Sequence, residues 1–285
     1  MSLNVENNIP ALYAQNSLNT TQTSLAKTLQ QLSSGSRINS GADDAAGLAV
    51  ADGLTANSTA LAQSTRNASD AIGLLQTADG ALSQVTSLLT RAVTLATQAS
   101  NTTLTSSQVS SANQEYQNIL TQINNIGSAT NFNGNAVFTN TANTFTISDG
   151  TASGTISYSD TVGALTTASV GTVTGGGAGE DFTAATNATL TAATASTVLQ
   201  NLGTAIADVS FQRGNVGADI NQLTSAQQVA ATEQTNLTAA QNNITATDFG
   251  QASSDLSKFT VLAQTAISAL AQANSVQQEV LKLLQ

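Results

Sequence analysis

The stretches LNTTQTSLAKTLQQL, residues 18–32, and FTVLAQTAISALAQANSVQQEVLKLL, residues 259–284, decide the fold. In the first, Leu18, Gln22, Leu25, Leu29 and Leu32 recur at alternating steps of four and three; Phe259, Ala263, Ala266, Leu270, Ala273, Gln277, Val280 and Leu284 do the same in the second. A helix with one apolar seam cannot bury it alone. The two ends are therefore predicted to zip together, with the middle of the chain looped out between them.

Composition supports a subunit whose surface is covered by neighbours. Charged residues make up only 8% of the 285, against roughly 25% in ordinary soluble domains. Uncharged polar residues take their place, and these find hydrogen-bond partners locally where a buried charge would cost several kcal/mol. A net charge of −10 with only seven Lys and Arg excludes a nucleic-acid interface. With no Cys and no His, thiolate metal sites and the usual proton shuttle are absent, so no catalytic, cofactor or metal site is expected and the chain does not read as an enzyme. No run of 18 apolar residues suggests a membrane span, and residues 1–20 lack the charged and apolar regions of a cleaved signal peptide.

Working outward, Pro10 marks a helix start, because proline in the first turn forgoes no intrahelical bond, and Ser34-Gly35-Ser36 marks its end. A second helix is expected from about Asp44 to Ala99, signalled by the Ser40 to Asp43 spacing and by two carboxylates at the positive end of the helix dipole. It carries one seam of Leu61, Ala68, Ile72, Leu75, Leu82, Leu89, Val93 and Ala96, and a second of Leu74, Ala78, Ala81, Val85, Leu88, Ala92 and Leu95. Ser106 to Ile126 reads as a third helix folding back across Asn101 to Thr105. Alternation at Phe145, Ile147, Ile156 and Tyr158 around Asp149-Gly150 predicts a β-hairpin. Residues 160–189, with the Gly175 to Gly179 run, show little periodicity and read as an exposed, loosely specified insertion. Helical spacing resumes at Ala195 and persists to Ile244.

The predicted fold class is thus mainly α, a long helical hairpin and coiled-coil bundle built from both chain ends, with a small β-hairpin insertion in the middle. Residues 1–43 plus 246–285 form the terminal coiled-coil domain, 44–138 plus 190–245 the helical bundle, and 139–189 a short variable, surface-exposed region. Asp43 and Asp44 have no nucleophile, His or third carboxylate at helical spacing, so they read as helix caps. The glycine run lacks a following Lys-Ser/Thr, and Glu180 and Asp181 would repel a phosphate. The sequon Asn187-Ala188-Thr189 permits glycosylation.

Several blocks resemble the bacterial flagellins. Leu32-Ser33-Ser34-Gly35-Ser36-Arg37-Ile38-Asn39-Ser40, followed by Asp43-Asp44-Ala45-Ala46-Gly47, is similar to the family's amino-terminal signature. Arg66-Asn67-Ala68-Ser69-Asp70-Ala71-Ile72, the block Leu75 to Leu82, and Asn131-Phe132-Asn133-Gly134 follow in the family's order, and Val261 to Gln285 resembles its carboxyl terminus. The resemblance spans about residues 1–138 and 195–285, and it implies a compact flagellin without large outer domains. It further implies export by the flagellar type III system without a cleaved signal peptide, and polymerisation into an extracellular helical filament used for swimming. The implied partners are other copies of the chain, a secretion chaperone, and hook-associated and cap proteins, with co-assembly of other flagellins left open. The assembly seam would comprise Leu18, Leu25, Leu29, Leu32, Phe259, Leu270, Val280 and Leu284.

One departure concerns innate-immune receptors, which in many flagellins bind through two arginines and a glutamate. Arg91 and Leu95 match that region and Glu115 matches a further contact, but Val93 and Thr94 stand where the second arginine and the glutamate would be. Receptor stimulation is therefore expected to be weak or absent. The alternatives are a hook-filament junction protein, which shares such ends but is disfavoured by the carboxyl-terminal match, and a secreted adhesin whose Thr-rich middle binds a surface.

Overall fold

A computed structural model describes residues 8–151, 154–171 and 179–283 of the chain. Leu284, the side chains of Gln277 and Val280, and the run Gly175 to Ala178 lie outside the described residues. The chain divides into two compact units, Met1–Ala56 with Asn236–Gln285, and Asn57–Thr235.

In the first unit, α1 (Ile9–Ser34) packs antiparallel on α5 (Phe249–Leu283). Asn8 starts the pairing: its Oδ1 accepts from the Ala11 N–H at 3.0 Å, capping α1, while its Nδ2 donates to the Ala273 carbonyl at 3.1 Å. At the other end the Thr247 hydroxyl donates to the Gln31 carbonyl. Gly35, at φ 69°, takes the left-handed conformation that closes α1.

The seam of α1 differs in register from the leucine spacing. The residues turned toward α5 are Ala11, Ala14, Leu18, Thr21, Leu25, Thr28 and Leu32, whereas Gln22 faces solvent and Leu29 is 49% exposed. Thr28 is buried because its hydroxyl donates back to the Ser24 carbonyl at 3.0 Å, which satisfies the oxygen and leaves the methyl for packing.

In the second unit, the portions of α2 (Ala45–Ala99) and α4 (Ala195–Thr245) that belong to it run antiparallel, tied by Arg213 to Asp79 at 2.8 Å and by the Gln227 amide to the Ser69 hydroxyl at 2.7 Å. The buried face of α2 in this unit takes in both expected seams: Leu61, Ser64, Ala68, Ala71, Leu74, Leu75, Ala78, Leu82, Val85, Leu89, Ala92, Leu95, Ala96 and Ala99. It merges the two expected seams and leaves Ile72, Ala81, Leu88 and Val93 half-buried on its flanks. Ser64 is tolerated there because its hydroxyl donates to the Ser148 carbonyl at 2.8 Å and accepts from the Ser148 N–H at 2.9 Å. On α4 the matching seam is Val198, Leu202, Ala205, Val209, Gln212, Val216, Leu223 and Ala230.

Helix α3 (Ser106–Ala129) starts at a capping box in which Thr105 and Gln108 satisfy each other's backbone N–H groups. Its buried face is led by Tyr116, Ile119, Leu120 and Ile123. A short hairpin of β1 (Asn131–Phe132) and β2 (Asn135–Ala136) follows, turned by Asn133 at φ 52° and Gly134 at φ 81°, the geometry an Asn-Gly pair favours. The expected central hairpin pairs β3 (Asn143–Ser148) with β4 (Thr155–Asp160), Phe145 lying opposite Tyr158.

The stretch after β4 corrects the expectation of an exposed, loosely specified insertion. Val162, Leu165, Val170, Phe182 and Leu190 are all at most 2% exposed. Three side chains on α3 hold the end of this strap by its backbone: the Asn113 carbonyl accepts from the Leu190 N–H at 2.7 Å, the Tyr116 hydroxyl donates to the Asn187 carbonyl at 2.8 Å, and the Gln117 amide donates to Ala188. Burial pushes the Tyr116 phenol well above its ordinary value. Gly127 has no room for a side chain, since a Cβ there would overlap the Leu165 carbonyl. Sequence periodicity is blind to such a strap because its contacts are long-range and its backbone follows no repeating pattern.

The sequon at Asn187 is corrected as well. Asn187 is 4% exposed, its Nδ2 donates to the Asp181 carbonyl and its Oδ1 accepts from the Asn201 amide, so it is inaccessible to a glycosyl donor in the folded chain.

Candidate assembly surfaces

The first unit buries little of its apolar surface. Leu18, Leu25, Leu32, Phe259 and Leu270 line the α1–α5 seam but remain only half-buried. Sequence reasoning missed a second set. Ile9, Leu12 and Tyr13 lie on α1 directly opposite its seam, and Val261 lies opposite the seam of α5; all are more than half exposed, as is Ile267 on the flank. Leu29 and Val276 add to this outward apolar surface. The signal lay in the sequence as apolar letters off the seam, which a search for one stripe per helix discards.

The residues 35 to 47 form a corner that holds the junction of α4 and α5. The Arg37 N–H donates to the Thr245 carbonyl at 2.6 Å, its guanidinium Nη2 donates to the Ile244 carbonyl at 2.8 Å, and Thr247 N–H donates to Gly35. Arg37 thus caps the negative end of the α4 dipole. The Asn39 amide donates to the Ser36 carbonyl at 2.8 Å, closing the turn.

The two aspartates divide the work. Asp44 is the cap of α2, its Oδ1 accepting from the Gly47 N–H at 2.8 Å; Asp44→Ala is expected to cost about 1 kcal/mol by thermal melting. Asp43, read from the sequence as a cap, instead accepts from the Asn39 and Ser40 N–H groups and pairs with Lys27 at 2.8 Å. Lys27 first, then these bonds, hold its carboxyl down to about 2. The sign follows: the group favours the folded corner above its unfolded value of about 3.9, and that contribution is lost as pH falls from about 4 to 2. Asp43→Asn is expected to flatten the acid limb of thermal stability between about pH 4 and 2 while leaving the curve above pH 5 parallel to the parent.

Elsewhere in the signature, Arg66 donates to the Gln63 side chain and Asn67 accepts from it, both on the surface of α2. Phe132 packs on Gly73, where a Cβ would sit 3.3 Å from the ring, and the Asn131 amide donates to the Ala129 carbonyl at the end of α3. Arg91 and Glu115, exposed on α2 and α3, are ion-paired to each other at 2.7 Å. Leu95 is 2% exposed, so this position of the receptor region belongs to the core and is out of reach of any partner. Among the described residues no cluster of three metal-ligating side chains occurs and no helix is long and apolar enough to cross a membrane.

Comparison with known proteins bears on these surfaces. The family model described as Bacterial flagellin N-terminal helical region matches residues 5–143, and its C-terminal counterpart matches residues 199–284. A flagellin of Serratia marcescens is 51% identical over 81 residues, 28% of this chain and 23% of that one. Flagellin B of Vibrio anguillarum is 43% identical over 88 residues, 31% of this chain and 23% of its own length. These matches thus span under a quarter of the curated relatives' length. A crystal structure of Bacillus cereus flagellin, 32% identical, aligns over 62% of this chain and 94% of that chain with a TM-score of 0.45.

Proposed function

The chain belongs to the bacterial flagellin family, and from that premise we propose that it polymerises into the helical filament of a flagellum used for swimming. The observation that carries this reading is the set of apolar side chains that the terminal hairpin turns outward from both of its helices. With α1 and α5 already paired, Ile9, Leu12, Tyr13 and Val261 still point away from the pair, and residues 256–285 hold only Lys258, Glu279 and Lys282 as charges. Burying such side chains between copies contributes roughly 1.5–3 kcal/mol each, and a heterologous contact of this kind propagates as an open helix.

In this reading residues 1–43 with 246–285 form the inner layer of the filament, 44–138 with 190–245 surround it, and the β3–β4 hairpin faces outward. Export proceeds through the flagellar type III apparatus, with a chaperone on the carboxyl-terminal helix and with hook-associated and cap proteins at the filament ends. The role is structural, without catalysis.

Seeded polymerisation followed by electron microscopy tests it. The full chain is expected to elongate filament seeds and a chain lacking residues 256–285 to add nothing; equal elongation by both would end the proposal. Weak stimulation of innate-immune receptors belongs to the same reading, because Arg91 is held by Glu115 and two charge-assisted contacts of about 1.5–3 kcal/mol each are missing. Potency in a reporter-cell assay equal to that of flagellins carrying both arginines would contradict it.

A further inference from the structure

Within the second unit, a small cavity of about 40 Å³ opens between the central hairpin and the helices, lined by Leu75, Phe145, Tyr158, Ser159, Asp219, Gln222 and Leu223. Its floor is apolar, since Leu75 and Leu223 are buried core residues of α2 and α4. One wall is aromatic: Phe145 and Tyr158 are direct cross-strand partners on β3 and β4. The facing wall carries a carboxylate and an amide one turn apart on α4.

Asp219 and Gln222 have no hydrogen-bond or ionic partner among the described residues. That is unusual for Asp219, which is half-buried at a position three residues past Val216 and four before Leu223, on the seam itself. A carboxylate on a coiled-coil seam beside two aromatic rings weakens packing unless something pairs with it. A second orphan lies close by on the same face of β3: the buried Asn143 Nδ2 has no partner.

We propose that this cavity binds an alkylammonium group. Asp219 supplies the opposite charge and Phe145 and Tyr158 the cation–π wall, with the alkyl stem left toward solvent. A saccharide ring does not fit a cavity of about 40 Å³, which takes a small head group only. An anion is excluded by Asp219 and by the absence of any Lys or Arg among the lining residues. The group can come from a free amine or from a lysine side chain of another protein.

The test is titration of the full-length monomer with n-butylammonium chloride, followed by backbone amide shifts in two-dimensional NMR. Nα-acetyl-lysine methylamide, sodium chloride and methyl glucoside serve as parallel arms. Saturable shifts confined to residues 145, 158–159 and 219–223 are expected with butylammonium, weakened roughly tenfold in Asp219→Asn and in Tyr158→Leu, with circular dichroism confirming that each variant is folded. Binding of the blocked lysine as well points to a protein side chain as the source, whereas butylammonium alone points to a free amine; both support the site. Shifts equal to those of sodium chloride, saturation by methyl glucoside alone, or unchanged affinity in Asp219→Asn overturn it.

Discussion

Replacing Leu12 and Val261 together by Asp is expected to abolish elongation of filament seeds while leaving the helix content of the soluble chain unchanged. Both side chains face away from the α1–α5 seam and are more than half exposed, so the hairpin loses no packing. In the proposed filament these positions would be covered by neighbouring copies, where an unpaired buried carboxylate costs several kcal/mol. At about 1.4 kcal/mol per factor of ten, the critical concentration for growth should rise at least about a hundredfold. Sedimentation of polymer against soluble chain measures it. Growth at the parent's critical concentration would show that the outward face is not an assembly contact. A loss of helix content would show instead that these residues support the hairpin itself.

The second large effect is expected at the strap. Phe182→Ala removes a ring that is 1% exposed and should destabilise the second unit by about 3–5 kcal/mol. For a unit of this size that corresponds to a fall in melting temperature of roughly 6 to 20 °C by calorimetry of the full chain. Were the segment loosely specified, the substitution would change stability by no more than about 0.5 kcal/mol. By the same logic, excision of residues 162–190 should unfold the bundle, whereas shortening the β3–β4 turn at Gly150 and Thr151 should be tolerated because both are exposed.

The helices, their order and the pairing of the two ends were legible in the sequence because each is written in a local code. Pro10 and Gly35 bracket α1, and three-four spacing runs through α2, α4 and α5. The family was legible for the same reason, since its signature residues are contiguous. Less legible was which of two adjacent stripes becomes the seam. On α1, Leu29 looked like a seam residue and Thr28 did not, yet the structure buries Thr28 and exposes Leu29. A threonine whose hydroxyl returns to its own helix presents a methyl, and letter-based hydropathy does not register that.

The sequence by itself therefore determined an all-helical frame closed by its own ends, a weakly charged surface, and membership of a filament-forming family. Tertiary structure alone decided the merging of two seams on α2 into one, the division of labour between Asp43 and Asp44, the burial of Leu95 and Asn187, and the conversion of Val162, Leu165, Val170, Phe182 and Leu190 from an apparent loop into core. Each of these depends on groups far apart in the chain: the Ser148 backbone for Ser64, Lys27 for Asp43, and Asn113, Tyr116 and Gln117 for the strap. Periodicity reports only what a residue shares with neighbours three or four positions away. Burial is settled by whichever distant surface arrives to cover it.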